Sequence, residues 1–81
     1  MTEGLTRSLR IIHQLERSIR VLELVRDETQ QAVDEKIAGY EGQGVSPETD
    51  PIVAKARIHI DTCNRVILNA KEQIIKLERG D

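Results

Sequence analysis

Aromatic side chains are almost absent from this 81-residue chain, which has one tyrosine, Tyr40, and neither phenylalanine nor tryptophan. Proteins that hold single-stranded nucleic acids stack the bases on aromatic rings, so a single tyrosine leaves almost no basis for that mode of binding. The formal net charge of −2 also removes the bulk electrostatic attraction that duplex binding requires. We therefore expect no nucleic-acid partner.

Cysteine and long apolar runs are equally scarce. The single cysteine, Cys63, cannot form an internal disulfide, which excludes a small secreted fold held together by disulfides. The uninterrupted apolar runs are no longer than a triplet such as Val66–Leu68, far short of a membrane span or the core of a signal peptide. These absences predict a soluble, cytoplasmic protein without membrane insertion.

Proline and glycine are missing from two long stretches, 5–38 and 52–79, and are concentrated between them. This layout predicts an all-α fold: a helix at about 5–38, a loop at about 39–50 and a helix at about 51–79, folded back as an antiparallel helical hairpin that forms a single domain, 1–81. The ends of the second helix carry matching signals. Asp50 before Pro51 is typical of an N-cap followed by proline at the first helical position, and Gly80 suits a left-handed C-cap.

The second helix carries apolar or small residues at alternating steps of three and four, a heptad pattern typical of packing along one neighbouring helix. We call these eight residues the seam: Val53, Ala56, Ile60, Cys63, Ile67, Ala70, Ile74 and Leu77. The first helix has a broader stripe, which Arg26 and Thr29 interrupt in the middle. Its members are Leu5, Leu9, Ile12, Leu15, Ile19, Leu22, Val33, Ile37 and Tyr40. The two stripes are expected to pack against each other.

Charge along the chain suggests how the two helices align. An alignment in which opposite residue numbers sum to about 89 brings three pairs of opposite charge to the same level. The pairs are Asp34 with Lys55, Arg17 with Glu72, and Arg10 with Glu78. Each exposed ion pair contributes well under ~1 kcal/mol, so these pairs are expected to define the register rather than to stabilise the fold.

Several aliphatic residues lie off both stripes and are the candidate partner-binding residues: Val21, Leu24, Val25, Leu68 and Ile75. A two-helix hairpin buries one stripe per helix, so these side chains face water unless a protein partner or a second copy covers them. A hairpin of this size also has a meagre core of its own. The register places position 24 opposite positions 65–68, which predicts that Leu24 and Leu68 border one continuous patch.

Catalytic, cofactor-binding and metal-binding residues are not predicted. His59 and Cys63 stand four residues apart on one helical face, but zinc requires three or four ligands and His13 lies far along the hairpin. We interpret Cys63 as a small residue of the seam. The glycine-rich loop lacks the lysine and hydroxyl residue of a phosphate-binding loop, and no strand precedes it.

One stretch of the first helix, from Leu9-Arg10-Ile11-Ile12 through Arg26 to Lys36, resembles the long first helix of the helical chorismate mutases. Those enzymes use arginine and lysine on the interior of a bundle to hold a dicarboxylate. The resemblance covers about a third of the chain, and the third helix of that family is missing. A chorismate-mutase-like enzyme is accordingly the minor alternative.

The whole chain resembles the small co-chaperones of bacterial type III secretion systems. The shared features are the length, the two-helix layout, the near-absence of aromatics, the acidic loop and the texture of residues 58–75. The resemblance implies a cytoplasmic adaptor without cofactor or catalysis, which pairs with a TPR-type chaperone and holds the needle subunit. The alternative that the residues leave open is a homodimeric four-helix bundle acting as a scaffold or regulator.

Overall fold

The computed structural model describes residues Thr2–Gly80, with side chains described from Gly4 onward. Two helices make up nearly all of it: α1 spans Thr2–Gln43 and α2 spans Pro51–Arg79, and a 3-10 turn, Pro47–Thr49, lies between them. The helices pack side by side, and the molecule measures 63 × 17 × 15 Å. The predicted helical hairpin is confirmed.

The seam accounts for all of the burial in α2. Its eight residues are each buried or half-buried, and every other residue of α2 is exposed. Val53 is the most enclosed, with 1% of its surface exposed. The alternating steps of three and four therefore identify the contact face of α2 correctly.

Two separate apolar clusters form where the seam meets α1. The open-end cluster consists of Ile19, Ile67 and Ala70, with Leu15, Leu22 and Ile74 packed around it. The loop-end cluster consists of Val33, Val53 and Ile60, with Ile37, Tyr40 and Ala56 packed around it. These contacts require antiparallel helices, because the low residue numbers of α1 meet the high numbers of α2.

The register agrees with the predicted alignment, although the ion pairs that suggested it do not form. Arg26 Nη1 donates to Asn64 Oδ1 at 3.1 Å, and these two positions fall within one residue of the expected alignment. In the described part of the chain, none of the three predicted ion pairs is made. Residues at one level can project from different sides of a helix, because successive residues are rotated by 100°. Lys55, for instance, projects from the side of the hairpin opposite to Asp34.

The first helix is longer than predicted and the loop is correspondingly shorter. It continues past Gly39 to Gln43, so the predicted loop at about 39–50 loses its first five residues to α1. The helix ends in a Schellman motif: Gly44 has φ 69°, its N–H donates to Glu41 O, and Val45 N–H donates to Tyr40 O. Gly44 rather than Gly39 is the terminating glycine, because the apolar stripe still has Tyr40 to pack.

The start of α1 projects beyond the seam. Leu5 and Leu9 were expected to belong to the contact stripe, but 64% and 48% of their surfaces are exposed. In the observed register, Leu9 lies opposite residue 80, and α2 ends at Arg79. These leucines therefore have no α2 residue to pack against, and that part of the stripe prediction is wrong.

Candidate protein-binding surface

A compact polar cluster closes the loop end of the hairpin around Asp50. The carboxylate accepts from Ile52 N–H at 2.8 Å, from Lys36 Nζ at 3.1 Å and from the Tyr40 hydroxyl. The Tyr40 bond, followed by the Ile52 bond and the Lys36 ammonium, lowers the pKa of Asp50 to about 2. The same hydrogen bond raises the pKa of Tyr40 above its ordinary value. The predicted N-cap is confirmed, and all partners of Asp50 tie one helix to the other or to the loop.

The Cys63 thiol is buried in the seam, with 3% of the residue exposed. Its Sγ lies 3.8 Å from Nε2 of His59 on the preceding turn of α2. No third histidine, cysteine or carboxylate joins them among residues 4–80, where no group of three potential metal ligands occurs. The pair matches the interpretation of Cys63 as a packing residue beside an exposed histidine.

The middle of the hairpin is polar. Arg26 and Thr29 do not leave the contact stripe but occupy its central positions, half-buried. Arg26 also donates from Nε to Asp27 at 3.1 Å, and Thr29 Oγ1 donates to the carbonyl of Val25 at 2.8 Å. Within the stretch that resembles the chorismate mutases, Arg26 is a basic residue that lies in the contact between the helices. Both of its hydrogen bonds are to side chains of this chain.

The five candidate partner-binding residues lie on different sides of the hairpin. Val21, Leu24, Leu68 and Ile75 are 57%, 60%, 57% and 46% exposed, and Val25 is half-buried. Leu24 points away from α2, because Leu22 and Arg26 on either side of it face α2. Leu68 and Ile75 lie on a flank of α2. The expectation that Leu24 and Leu68 border one patch is therefore wrong. The two residues lie at the same height along the hairpin, but they face different directions.

One broad face of the hairpin carries no formal charge along its two central rows. Residues seven apart on a helix lie on the same side, so each row can be read directly from the sequence. The row on α1 is Ile11, Ser18, Val25 and Ala32; the row on α2 is Ile52, His59, Val66 and Gln73. We call these eight residues the neutral face. Val21 borders the row on α1.

The opposite face is charged. Its α1 rows contain five carboxylates, and its α2 row is mixed, so we call it the carboxylate face. The α1 carboxylates are Glu16, Glu23, Asp27, Asp34 and Glu41, with Arg20 in the same row as Asp27; the α2 residues are Arg57, Asn64, Lys71 and Glu78. Leu68 and Ile75 lie at the α2 edge of this face. The Arg26–Asn64 and Arg26–Asp27 bonds lie on this side.

A shallow apolar recess opens on the neutral face near the loop. Its volume is about 120 Å³, and it is lined by Thr29, Ala32, Val33, Lys36, Ile52, Val53 and Ala56. A cavity of ~150 Å³ holds a benzene molecule, so this recess suits one aliphatic side chain. The small residues Ala32 and Ala56 create it, because neither fills the space between the helices.

Sequence reasoning missed three exposed aliphatic residues of α2: Ile52, Ile58 and Val66, which are 60%, 65% and 44% exposed. The signal was available, because each lies outside the seam. Ile52 and Val66 precede seam residues by one position, and so they border the contact stripe on the neutral side. Reading the residues that flank the heptad pattern would have found these two.

Comparisons with known proteins give this chain no relative. No family model, curated protein or solved structure matches it. Neither helix, over the described residues, is long and apolar enough to cross a membrane.

Proposed function

We propose that this chain is a non-catalytic adaptor, a helical hairpin whose exposed aliphatic side chains are covered by a protein partner. The supporting observation is the balance of apolar residues between surface and interior. Among the described residues, eight hydrophobic side chains are buried, whereas eleven large ones are exposed. Single exposed aliphatics are ordinary on a protein surface, but here they outnumber the core.

The specific form that we propose is a cytoplasmic type III secretion co-chaperone, which pairs with a TPR-type chaperone and holds a needle subunit. The support comes from the resemblance in length, layout and composition, and from the dimensions of the hairpin. A rod 17 × 15 Å in cross-section presents helix faces along its length, and such faces suit a groove lined by other helices.

The candidate contact residues are those predicted from the sequence: Val21, Leu24, Val25, Leu68 and Ile75. Leu68 and Ile75 stand seven residues apart on the same side of α2, so one partner helix can bury both. Full burial of each contributes roughly 1.5–3 kcal/mol relative to exposure. We therefore take Leu68 and Ile75 as the pair to test for contact with a heterologous helix.

The adaptor function is tested by capture from the native cells. The tagged chain is purified in parallel with the Leu68→Gln/Ile75→Gln variant and with Lys71→Gln as a control on the same flank. We expect mass spectrometry to find a TPR-type chaperone in near-equimolar amount with the wild type and the control, and a strong reduction with the double variant. An absence of any stoichiometric partner, or capture that the double variant leaves unchanged, contradicts the proposal.

A further inference from the structure

We propose that a second copy of this chain covers the neutral face, so that two hairpins form a four-helix bundle about a two-fold axis. This inference goes beyond the adaptor function, because self-association requires no other protein. It leaves the Leu68–Ile75 stripe outside the dimer contact and assigns Val25, with Val21 beside it, to the dimer. The argument rests on the surface area of the hairpin, the distribution of its charges and the shape of the neutral face.

The single hairpin exposes more surface than a folded monomer of its mass. Its accessible surface is 6408 Å² for 9.2 kDa. The size dependence observed for monomeric proteins gives about 4,900 Å² at this mass, so the excess is roughly 1,500 Å². If each protomer buried that excess, the interface would total roughly 3,000 Å², within the range of obligate homodimers.

The charge distribution selects the neutral face for contact with a copy of itself. A two-fold axis brings one surface patch against the same patch on the partner, so a patch rich in one sign of charge repels its copy. The carboxylate face, which carries five α1 carboxylates, would meet a copy of the same net sign. The two rows of the neutral face hold no Asp, Glu, Lys or Arg, and Lys36, which lines the recess, is paired with Asp50, so two copies meet without that penalty.

The neutral face also has the shape of a bundle interior. Ile52, Val66 and Val25 provide aliphatic side chains on both helices, and Ala32 and Ala56 leave the recess between them. A side chain from a facing helix can enter that recess, as knobs enter holes in a bundle. The packing would enclose residues that a single hairpin leaves in water, including Ile52 at 60% exposure.

The oligomeric state of the purified chain is the first test. Sedimentation equilibrium of the wild-type chain over ~1–100 μM is expected to give twice 9.2 kDa at the upper end of the range. A mass of 9.2 kDa at every concentration overturns the proposal.

A pair of matched variants tests the face. Ile52→Glu/Val66→Glu adds two charges to the neutral face at exposed positions of α2. Ile58→Glu/Leu68→Glu adds the same charge at equally exposed positions elsewhere on α2. We expect the dissociation constant to rise by on the order of a hundredfold or more in the first variant, because the contact would then enclose unpaired carboxylates of like sign. The second variant should remain dimeric. Equal weakening in both variants, or weakening only in the second, refutes the assignment of the face.

A charge-swap experiment covers the case in which the separated hairpin unfolds. The Ile52→Glu/Val66→Glu chain is mixed with an Ile52→Lys/Val66→Lys chain, and mass and helicity are measured before and after mixing. If the neutral faces meet, the mixture forms a heterodimer and recovers helix content, since the two faces in contact now carry charges of opposite sign. A mixture that stays monomeric or unfolded contradicts the proposal.

Discussion

The loop end and the open end of the hairpin have similar apolar cores but different polar anchoring. Each cluster has three buried residues with three others packed around them. At the loop end, the chain connection and the bonds of Asp50 to Lys36, Tyr40 and Ile52 also hold the helices together. At the open end, the contacts described between the helices are those of the apolar cluster around Ile19 and Ile67. Apolar packing therefore carries the open end.

The difference predicts where the hairpin opens first. Local unfolding begins where few buried contacts have to be broken. Beyond the open-end cluster, Leu5 and Leu9 are exposed, so the first turns of α1 add little to the core. We expect hydrogen exchange to be fastest at the start of α1 and slowest beside Val53.

The largest effect is expected from a charge in the open-end cluster. Ile67→Asp places a carboxylate at a position that is 4% exposed, where no cationic partner is at hand. An uncompensated buried charge costs several kcal/mol, comparable to the whole stability of a small domain. Circular dichroism at 25 °C should show a large loss of helix.

The neighbouring residue supplies the control for that substitution. Leu68→Asp adds the same charge one position further along α2, where 57% of the residue is exposed. Its helix content and melting temperature should stay close to those of the wild type. If Ile67→Asp melts like Leu68→Asp, the seam is not the contact face.

The polar middle of the hairpin gives the second largest effect, with the opposite sign. Arg26→Met fills a central position of the contact stripe with an apolar side chain and joins the two clusters. Replacing a partly buried charged residue by an apolar one of similar size is often stabilising. We expect a gain of about 1 kcal/mol, or a rise in Tm of roughly 4–8 °C.

An arginine outside the contact stripe provides the comparison. Arg20→Met removes the same charge from an exposed position of α1 and should change stability by less than about 0.5 kcal/mol. A lower Tm in Arg26→Met than in Arg20→Met would mean that the Asn64 bond holds the helices together more than apolar contact does.

A smaller effect is expected at the loop end, and it depends on pH. Because folding lowers the pKa of Asp50 to about 2, its contribution to stability is complete above pH ~4 and is lost as the pH falls toward 2. Because folding raises the pKa of Tyr40, its contribution is complete below pH ~10 and is lost as the pH rises through the higher folded value.

Tyr40→Phe separates this hydrogen bond from the packing of the ring. At pH 7, the variant should melt at a modestly lower temperature than the wild type. The difference should shrink as the pH falls toward 2, where the carboxylate becomes protonated, and above the folded pKa of Tyr40, where the phenol loses its proton. A difference that stays constant from pH 2 to 11 would show that the bond contributes nothing.

The parts of this structure that were predictable follow from local patterns. The eight seam residues are determined by helical spacing. The caps depend on chemistry within one turn: the Asp50 side chain at one end of α2, and the left-handed backbone that Gly80 allows at the other. The end of α1 was missed because three glycines compete for the role. The packing of Tyr40 favours Gly44 as the end of the helix, and the position of Tyr40 depends on its hydrogen bond to Asp50, ten residues away. To predict the side of the hairpin on which each aliphatic residue lies, the rotation of each helix about its own axis must be known. The register gives only which residues lie at the same level.

The smallest effect on the fold is expected from changing the outer leucines. Leu24 and Leu68 contact neither apolar cluster, so the Leu24→Gln/Leu68→Gln variant should keep the helix content and Tm of the wild type. Both residues lie outside the neutral face, so the variant should also keep the oligomeric mass of the wild type. The property that should weaken is binding of a heterologous partner. If one leucine is buried in that complex, its dissociation constant should rise by tenfold or more, because each 1.4 kcal/mol is a factor of ten. If the variant unfolds, these leucines belong to the core. If the variant is monomeric with intact helices while the wild type is a dimer, the contact between copies lies on the carboxylate face. The repulsion between carboxylates on the two copies would then have to be compensated.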